Sequence, residues 1–267
     1  MPLRALLFVL VACLAGPGAR AESVYLEELT SAELRELVRN GTTTVIIPAG
    51  GTEQNGPHMT LGKHNARVRV LAGRIATALG HTIVAPVLVY VPEGRIAPPV
   101  AHMRFAGTLS ISDEAFRATL DGAARSLVQH GFRDIVLIGD HGGYQDQLEA
   151  VADRLNRDWA RSGARAHYVA EYYRASQEGV AALLRARGLS AAQVGTHAGA
   201  ADTALQLAVA PQTVRSGQLA QAAREGAAGG VAGDPQAASA ALGQEGADLI
   251  VTQSTAAIRA ALGASRR

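Results

Sequence analysis

The sequence predicts an α/β fold in which helices alternate with the strands of a mostly parallel sheet. Residues 43–48 and 134–138 are continuous β-branched and apolar runs, which are typical of strands buried on both faces. Stretches of about a dozen residues with helical periodicity separate such runs and indicate βαβ units. No repeat, charge run or low-complexity linker divides residues 22–267, so we expect a single domain there.

The predicted elements follow one another along the chain with recognisable ends. Thr30 and Ser31 are N-cap candidates for the first helix, and Ser112 is one for the third. The predicted helices cover residues 32–38, 65–79, 113–130, 144–161 and 176–187. The predicted strands cover residues 43–48, 82–91, 134–138 and 164–171, with Pro86 as a break or an edge in the second. The Ala/Gly-rich residues 218–243 indicate neither element and read as a surface excursion or a mobile loop.

The first 21 residues have the three-part layout of a signal peptide. Arg4 precedes an apolar run over residues 5–16, and residues 19–21 form the small-x-small pattern that a signal peptidase recognises. The run is too short for a stable membrane span. We therefore expect cleavage after Ala21 and export to the periplasm or the medium. A rival reading is a lipoprotein box at residues 10–13, with Cys13 as the lipidated residue.

Composition narrows the function classes further. Hydrophobic residues make up 48% of the chain and charged residues 18%, as in an ordinary globular protein. Removal of the leader takes two arginines and no acid, so the mature chain has as many basic side chains as its 23 acidic ones. Such a balance gives no reason to expect a nucleic-acid partner. Because Cys13 is the one cysteine, an intramolecular disulfide and a Cys-rich zinc site are excluded.

Three polar clusters lie just after predicted strands or before a predicted helix. They cover residues 51–58 together with His64, residues 140–143, and residues 196–202. In open parallel sheets, ligands bind beyond the carboxyl ends of the strands. Each cluster holds histidine beside a carboxylate, a pair that suits Zn²⁺ or Mn²⁺. A single such histidine is more often structural, but three clusters in one chain favour a metal site.

Four segments resemble motifs of the creatininase family, a group of metal-dependent amidohydrolases, in the order in which the family has them. Residues 50–58, GGTEQNGPH, are similar to G-[ST]-x-E-Q-H-G-P-H, and residues 102–109 resemble its H-x-x-F-P-G-T stretch. Residues 139–143, GDHGG, resemble N-G-H-G-G, and residues 197–203 resemble H-A-G-x-x-E-T. The resemblance implies a three-layer α/β/α sandwich and a homo-oligomer, commonly a hexamer. It also implies one or two divalent metals that activate water to hydrolyse a C–N bond of a small cyclic or linear amide.

The resemblance assigns roles to individual residues. Glu53 and His141 stand in the places of metal ligands, and His197 stands in the place of the histidine that carries a proton to the leaving nitrogen. Asp202 replaces a glutamate and is expected to be a further ligand. His102 and Tyr144 are expected to contact substrate.

Besides Asp202, three positions of the ligand region depart from the family pattern. Gly51 stands where the family has serine or threonine, Asn55 where it has a ligand histidine, and His64 where it has an aspartate that bridges two metals. A neutral imidazole offers one lone pair and cannot bridge as a carboxylate does. We therefore expect one Zn or Mn ion per chain, bound by Glu53, His64, His141 and Asp202. A metal-free site and a binuclear site remain the alternatives.

Three functions follow as hypotheses. The first is an exported amidohydrolase that acts on a small amide, lactam or peptide-like compound through a metal-activated water. The second is a catalytically silent binding protein that keeps the pocket and has lost the metal. The third is a structural subunit of an oligomer.

Overall fold

A computed structural model describes residues 23–265 as an α/β fold with one four-stranded sheet. The strands are β1 (Thr44–Ala49), β2 (Thr82–Val84), β3 (Asp134–Gly139) and β4 (Arg165–Tyr168). They lie in the order β2-β1-β3-β4, and every neighbouring pair is parallel. All six residues of β1 are buried, as its continuous apolar pattern predicts for a central strand.

Ten α-helices surround or extend this sheet in the described part of the chain. Thr30 and Ser112 cap the first and third through their side chains, as predicted. A single π-helical turn, Ala175–Gly179, joins the fifth helix to the sixth. The helices are α1 (Ser31–Arg39), α2 (Lys63–Leu79), α3 (Asp113–Gln129), α4 (Gln145–Asp158), α5 (Ala170–Arg174), α6 (Val180–Ala186), α7 (Ala191–Val194), α8 (Ala200–Val209), α9 (Leu219–Glu225) and α10 (Ala240–Ser265).

The helices form a layer on each face of the sheet. One apolar core joins α1, α3 and α4 to one face, with Phe116 and Leu148 among its buried side chains. A second core joins α2, α5, α6, α8 and α10 to the other face, with Leu71 and Ile250 fully buried. Because each strand is covered on both sides, the predicted α/β/α sandwich around a parallel sheet is confirmed.

Two predicted strands are shorter than expected. The strand expected over residues 82–91 ends at Val84, because Pro86 has no N–H to continue the ladder; Leu88 returns to pair with Ala49 only as an isolated bridge. The strand expected over residues 164–171 ends at Tyr168, and the chain enters α5 at Ala170. The switch to a helix brings the buried Tyr172 under the sheet, where its apolar ring joins the second core.

The Ala/Gly-rich residues 218–243 are ordered elements and not the expected excursion or loop. They contain α9, short 3₁₀ turns and the first residues of α10. Ala222 and Val231 are buried in a third, small core with Met59. This segment therefore closes over the loop that follows β1.

The predicted signal peptide, residues 1–21, lies outside the described residues. Among residues 23–265, no helix combines the length and the apolarity that a membrane span needs.

Candidate metal centre

The polar clusters predicted from the sequence meet at the carboxyl edge of the sheet. Glu53 lies in the loop after β1, His64 in the first turn of α2, and His141 directly after β3. His197 precedes α8. These side chains line one cavity of about 250 Å³, which Lys63 and His102 also line. A single polar pocket therefore forms where the central strands end and two helices begin.

Glu53, His64 and His141 bring three candidate ligand atoms within 4.8 Å of one another. His64 Nε2 lies 2.7 Å from Glu53 Oε1, and His141 Nε2 lies 3.6 Å from Glu53 Oε2. Either a proton or a cation must lie between His64 Nε2 and Glu53 Oε1, since a bare lone pair facing a carboxylate oxygen at that distance is repulsive. Glu53 is fully buried, and Glu53 Oε2 has no hydrogen-bond partner among the described residues.

Asp140 holds His64 from the other side of the ring. Asp140 Oδ2 lies 2.6 Å from His64 Nδ1, so that nitrogen carries a proton and Nε2 is turned toward Glu53. A histidine that binds a metal commonly donates its second N–H to a carboxylate in this way. Arg67 Nε donates to both carboxylate oxygens of Asp140, at 3.1 and 2.8 Å, and the Tyr172 hydroxyl donates to Asp140 Oδ1 at 2.7 Å. His64 is therefore set in a fixed orientation.

The residues present thus fit one divalent cation. Two imidazoles and a carboxylate are ligands that Zn²⁺ and Mn²⁺ accept. One of the carboxylate oxygens is buried without a partner, and one of the rings has the outer carboxylate that metal ligands usually have. A second group, Glu53 with His102 and His197, also lies within 4.8 Å, but it shares Glu53 with the first.

Lys63 and Arg67 place two positive charges inside this site. The Lys63 ammonium lies 3.1 Å from Asp202 Oδ2 and 3.5 Å from Glu53 Oε1, and only 1% of the residue is exposed. The Arg67 guanidinium is fully buried and donates to Asp202 Oδ1 at 2.7 Å. Asp202 Oδ2 also accepts from the Ala198 backbone N–H at 2.9 Å. Both oxygens of Asp202 are therefore occupied by protein donors.

Gln54 organises the far side of the pocket. His197 Nε2 lies 2.9 Å from the Gln54 carbonyl oxygen, so this nitrogen donates and Nδ1 points toward Glu53 Oε1 at 3.7 Å. The Gln54 amide nitrogen lies 2.7 Å from His102 Nδ1 and donates to the Gly230 carbonyl at 3.0 Å. The rings of His102 and His197 lie against each other at an angle of 33°, with their centroids 4.1 Å apart. The segment around Gly230 thus helps to set both histidines.

Comparison with known proteins agrees with this architecture. The creatininase family profile, described as "Creatinine amidohydrolase", matches residues 27–258. The chain belongs to the creatininase family. Solved creatininases have the same fold: one titled "Creatininase Mn" superposes with a TM-score of 0.71 at 24% identity, covering 89% of this chain and 98% of that one. A mutant creatininase described as "Zn-Zn type" gives a TM-score of 0.72 at 23% identity, covering 90% and 98%.

Named relatives match shorter stretches. "Mycofactocin precursor peptide peptidase" of Mycobacterium ulcerans (strain Agy99) is 32% identical over 130 residues, 45% of this chain and 48% of that protein. "3-dehydro-scyllo-inosose hydrolase" of Thermotoga maritima is 29% identical over 123 residues, 46% and 37% respectively. "Creatinine amidohydrolase" of Pseudomonas putida is 28% identical over 131 residues, 49% of each chain. The chain thus spans about half the length, or less, of these relatives.

Within this creatininase fold, most of the predicted site residues meet. Glu53, His64, His141 and His197 face one cavity, and His102 lies at its rim beside His197. Asp202 also lines the cavity but is held by Lys63 and Arg67, so it does not join the group of candidate ligands. We therefore leave Asp202 out of the ligand set and treat it as the partner of the two internal cations.

Two polar residues of the predicted site have structural positions. The Tyr144 side chain is fully buried, and its hydroxyl donates to the Ala49 carbonyl at 2.8 Å, so it supports the end of β1 and does not line the cavity as expected. The Asn55 amide donates to the Glu53 carbonyl at 2.9 Å and to the Thr60 carbonyl at 3.1 Å. Asn55 therefore braces the loop that carries Glu53.

Glu93 was not predicted from the sequence. It lies in the loop after β2, its side chain has no exposed surface, and Glu93 Oε2 is 3.2 Å from His141 Nε2. Glu93 belongs to none of the four motifs, and no periodic pattern surrounds it. The sequence signal that could have indicated a site residue here is an acid in a mostly apolar, Pro-containing stretch.

Burial and charge set the protonation of the site. Burial raises the pKa of Glu93 to about 9, with the neighbouring Glu53 as a further cause. Burial also lowers the pKa of His141 to about 3, helped by His64, and that of His197 to about 4, helped by Lys63. Although burial opposes it, the pKa of Glu53 lies well below its ordinary value because Lys63 and His64 face the carboxylate. At neutral pH the site therefore holds charged Glu53 and neutral His141 and His197.

Proposed function

We propose that this chain is an exported hydrolase that binds one divalent cation, Zn or Mn, and cleaves a C–N bond of a small cyclic or linear amide. The observation that carries the proposal is the convergence of Glu53, His64 and His141, whose ligand atoms lie within 4.8 Å of one another at the carboxyl edge of the sheet. Membership of the creatininase family supports the reaction class. Two of the relatives are named as a peptidase of a precursor peptide and as a creatinine amidohydrolase.

The charges around Glu53 favour a single ion. Lys63 already lies beside Glu53 and Asp202, and Arg67 joins Asp202 to Asp140. A second divalent ion next to Lys63 would meet an ammonium group in surroundings of low dielectric constant, where like charges repel strongly. The internal cations thus oppose a second metal.

The surrounding side chains have separate tasks in this hydrolysis. A bound divalent ion supplies polarisation of the substrate carbonyl and a lower pKa for an attacking water. His197 is neutral and has Nδ1 turned into the pocket, so it can take up a proton there and deliver it to the departing nitrogen. The Gln54 carbonyl fixes the orientation of this ring, and His102 stacks on it at the substrate side.

The position of the protein in the cell is part of the proposal. Residues 1–21 support export followed by cleavage after Ala21. The resemblance to creatininases supports a homo-oligomer, with a hexamer as the expected size. Mass spectrometry of the exported product and light scattering of the purified protein test these two points.

A metal-free binding protein is the second candidate. It is favoured by the same internal cations, because Lys63 and Arg67 already face the carboxylates of Glu53, Asp140 and Asp202. A proton on each nitrogen of His64 would satisfy the contacts of this ring with Asp140 Oδ2 and Glu53 Oε1.

Metal analysis combined with an activity panel tests the proposal. The mature chain, stripped with chelator and reloaded with Zn²⁺ or Mn²⁺, is expected to retain one equivalent per chain and to hydrolyse at least one compound from a set of lactams and amides. His141→Ala should lose both properties, whereas His130→Ala, at the exposed end of α3, should keep them. Two tightly held equivalents would refute the single-ion site. No retained metal and no hydrolysis would favour the binding protein.

A further inference from the structure

Glu93 is a buried carboxyl group without a partner suited to it. Its side chain has no exposed surface, and neither carboxylate oxygen has a hydrogen-bond partner among the described residues. An unpaired buried carboxyl costs several kcal/mol, roughly, unless something compensates it. His141 Nε2 lies 3.2 Å from Glu93 Oε2. Lys63 is already engaged by Glu53 and Asp202.

The backbone of the loop directs this carboxyl toward the site. The Ser110 hydroxyl accepts hydrogen bonds from the backbone N–H groups of Glu93 at 3.0 Å and of Gly94 at 3.2 Å. A second loop, at residues 110–111, therefore fixes the residue whose side chain reaches His141. The fold therefore fixes the backbone from which the buried Glu93 side chain extends toward His141.

Gly51 makes room for the Glu93 carboxyl. A Cβ atom at residue 51 would lie 2.4 Å from Glu93 Oε1, and the backbone there has φ +149°, which favours glycine. This is the position at which the opening motif otherwise has serine or threonine. The glycine at 51 and the acid at 93 thus belong together: either a β-carbon or the carboxyl can occupy that space.

Two buried carboxylate oxygens that lack hydrogen-bond partners lie near His141 Nε2. Glu53 Oε2 is 3.6 Å and Glu93 Oε2 is 3.2 Å from His141 Nε2, and both oxygens are buried and without hydrogen bonds. Gly143 N–H donates to His141 Nδ1 at 3.2 Å, which keeps Nε2 on the side of the two glutamates; for Nε2 to bind a cation, the ring proton must move to Nδ1 and this contact must open. We propose that Glu93 is the fourth ligand of the divalent cation held by Glu53, His64 and His141. The ligand atoms of those three residues lie within 4.8 Å of one another, and the Glu93 side chain moves from beside His141 Nε2 to join them. This inference rests on the proposed function, because it needs the cation at that site.

The ligand set has a chemical consequence. Two carboxylates and two imidazoles supply four oxygen and nitrogen ligands, and two acids offset the charge of a divalent ion. A hydrogen bond between Glu93 and His141 is the structural alternative. Glutamine would preserve that hydrogen bond, since its amide oxygen accepts as a carboxylate does, but it would supply a much poorer ligand.

Metal affinity of the full mature chain distinguishes these roles without any assay of activity. We expect Glu93→Gln to bind Zn²⁺ and Mn²⁺ at least about tenfold more weakly in chelator competition, as the loss of a ligand requires. Glu114→Gln, an exposed glutamate at the start of α3, is the matched control and should bind as the parent does. Without metal, Glu93→Gln should be at least as thermally stable as the parent, because it removes an unpaired buried acid.

A second variant changes the space around the Glu93 carboxyl, and thermal unfolding of both metal-free variants checks that they fold, since the backbone at residue 51 favours glycine. Gly51→Ser should displace the Glu93 carboxyl and weaken metal binding in the same direction. If the parent retains metal and Glu93→Gln binds it equally well, the assignment of Glu93 is wrong while the metal site stands. If the parent itself binds no metal, the proposed function has failed, and the assignment of Glu93 fails with it.

Discussion

At the scale of single residues, the site depends on two cations that are buried in the first turns of α2. Lys63 and Arg67 each have at most 1% of their surface exposed, and between them they face the fully buried carboxylates of Glu53 and Asp140 and the partly buried one of Asp202. Removal of one partner from such a network is costly because it leaves the other charge without compensation in a medium of low dielectric constant. Their packing therefore makes these residues important for stability as well as for the pocket.

Arg67→Met tests this role. Methionine fills part of the volume of the arginine but leaves Asp140 without its arginine and Asp202 with Lys63 alone, so we expect a loss of about 3–5 kcal/mol in the free energy of unfolding. Arg39→Met removes an ion pair with Glu36 that is more than half exposed, and it should cost at most about 1 kcal/mol. Urea titrations of both variants give the comparison. Equal losses would show that burial of the Arg67 charge has no energetic weight.

The sequence could predict the histidines and Glu53 because they lie within recognisable motifs directly after strands. Arg67 and Glu93 could not be predicted in this way. Arg67 lies on a helix among other arginines, and no pattern distinguishes a buried arginine from an exposed one until its carboxylate partners are placed. Glu93 reaches the site from a loop, so its proximity to His141 depends on tertiary structure alone.

At the scale of elements, helix periodicity located α1, α2, α3 and α4 to within a few residues, but it missed α8, residues 218–243 and the long α10. Small side chains give little hydrophobic contrast, so a period of 3.6 residues leaves no trace in the sequence. The small side chains also allow two helices to pack very close together. Gly243, in the first turn of α10, lies so close to α8 that an added Cβ would be 1.8 Å from the Ala204 carbonyl oxygen.

Two identical substitutions in different helices should therefore have opposite effects. Gly243→Ala forces α8 and α10 apart and is expected to cost about 1–3 kcal/mol in the free energy of unfolding, as overpacking does. Gly122→Ala, at an exposed position of α3 with no atom within 4 Å, should stabilise the protein by about 0.5–1 kcal/mol through the lower entropy of the unfolded chain. Calorimetric or denaturant unfolding measures both. A stabilising Gly243→Ala would contradict the close contact between the helices.

At the scale of the whole molecule, the parallel sheet brings distant parts of the chain to one edge, so the stability of the fold and the protonation of the site are coupled. Burial lowers the pKa of His58 to about 4, as it does for His197, and lowers that of His141 to about 3. The unfolded chain binds protons at these histidines near pH 6.5. Between about pH 6.5 and 4 the unfolded state therefore holds more protons, and the free energy of unfolding falls as the pH falls.

Other titratable groups change the free energy of unfolding in the opposite direction or in a different pH range. The pKa of Glu93 is raised to about 9, so this acid stabilises the folded state most at low pH and offsets the contribution of about one histidine. Asp140 and Asp202 have pKa values held below their ordinary range, mainly by Arg67 and Lys63 against the effect of burial. Their stabilisation is lost only below about pH 4, as they become protonated. The range between pH 4 and 6.5 thus reports chiefly on the histidines.

His58→Gln isolates one histidine that lies outside the proposed ligand set. Its Nε2 is 3.0 Å from the Thr203 hydroxyl oxygen, a contact that the glutamine amide can replace without titrating. In excess chelator, the slope of unfolding free energy against pH between about 4.5 and 6 should be smaller than that of the parent by about 1 kcal/mol per pH unit. The same substitution at the exposed His130 is the matched control. If the two variants gave the same slope, the buried neutral state of His58 would not contribute to the pH dependence of folding.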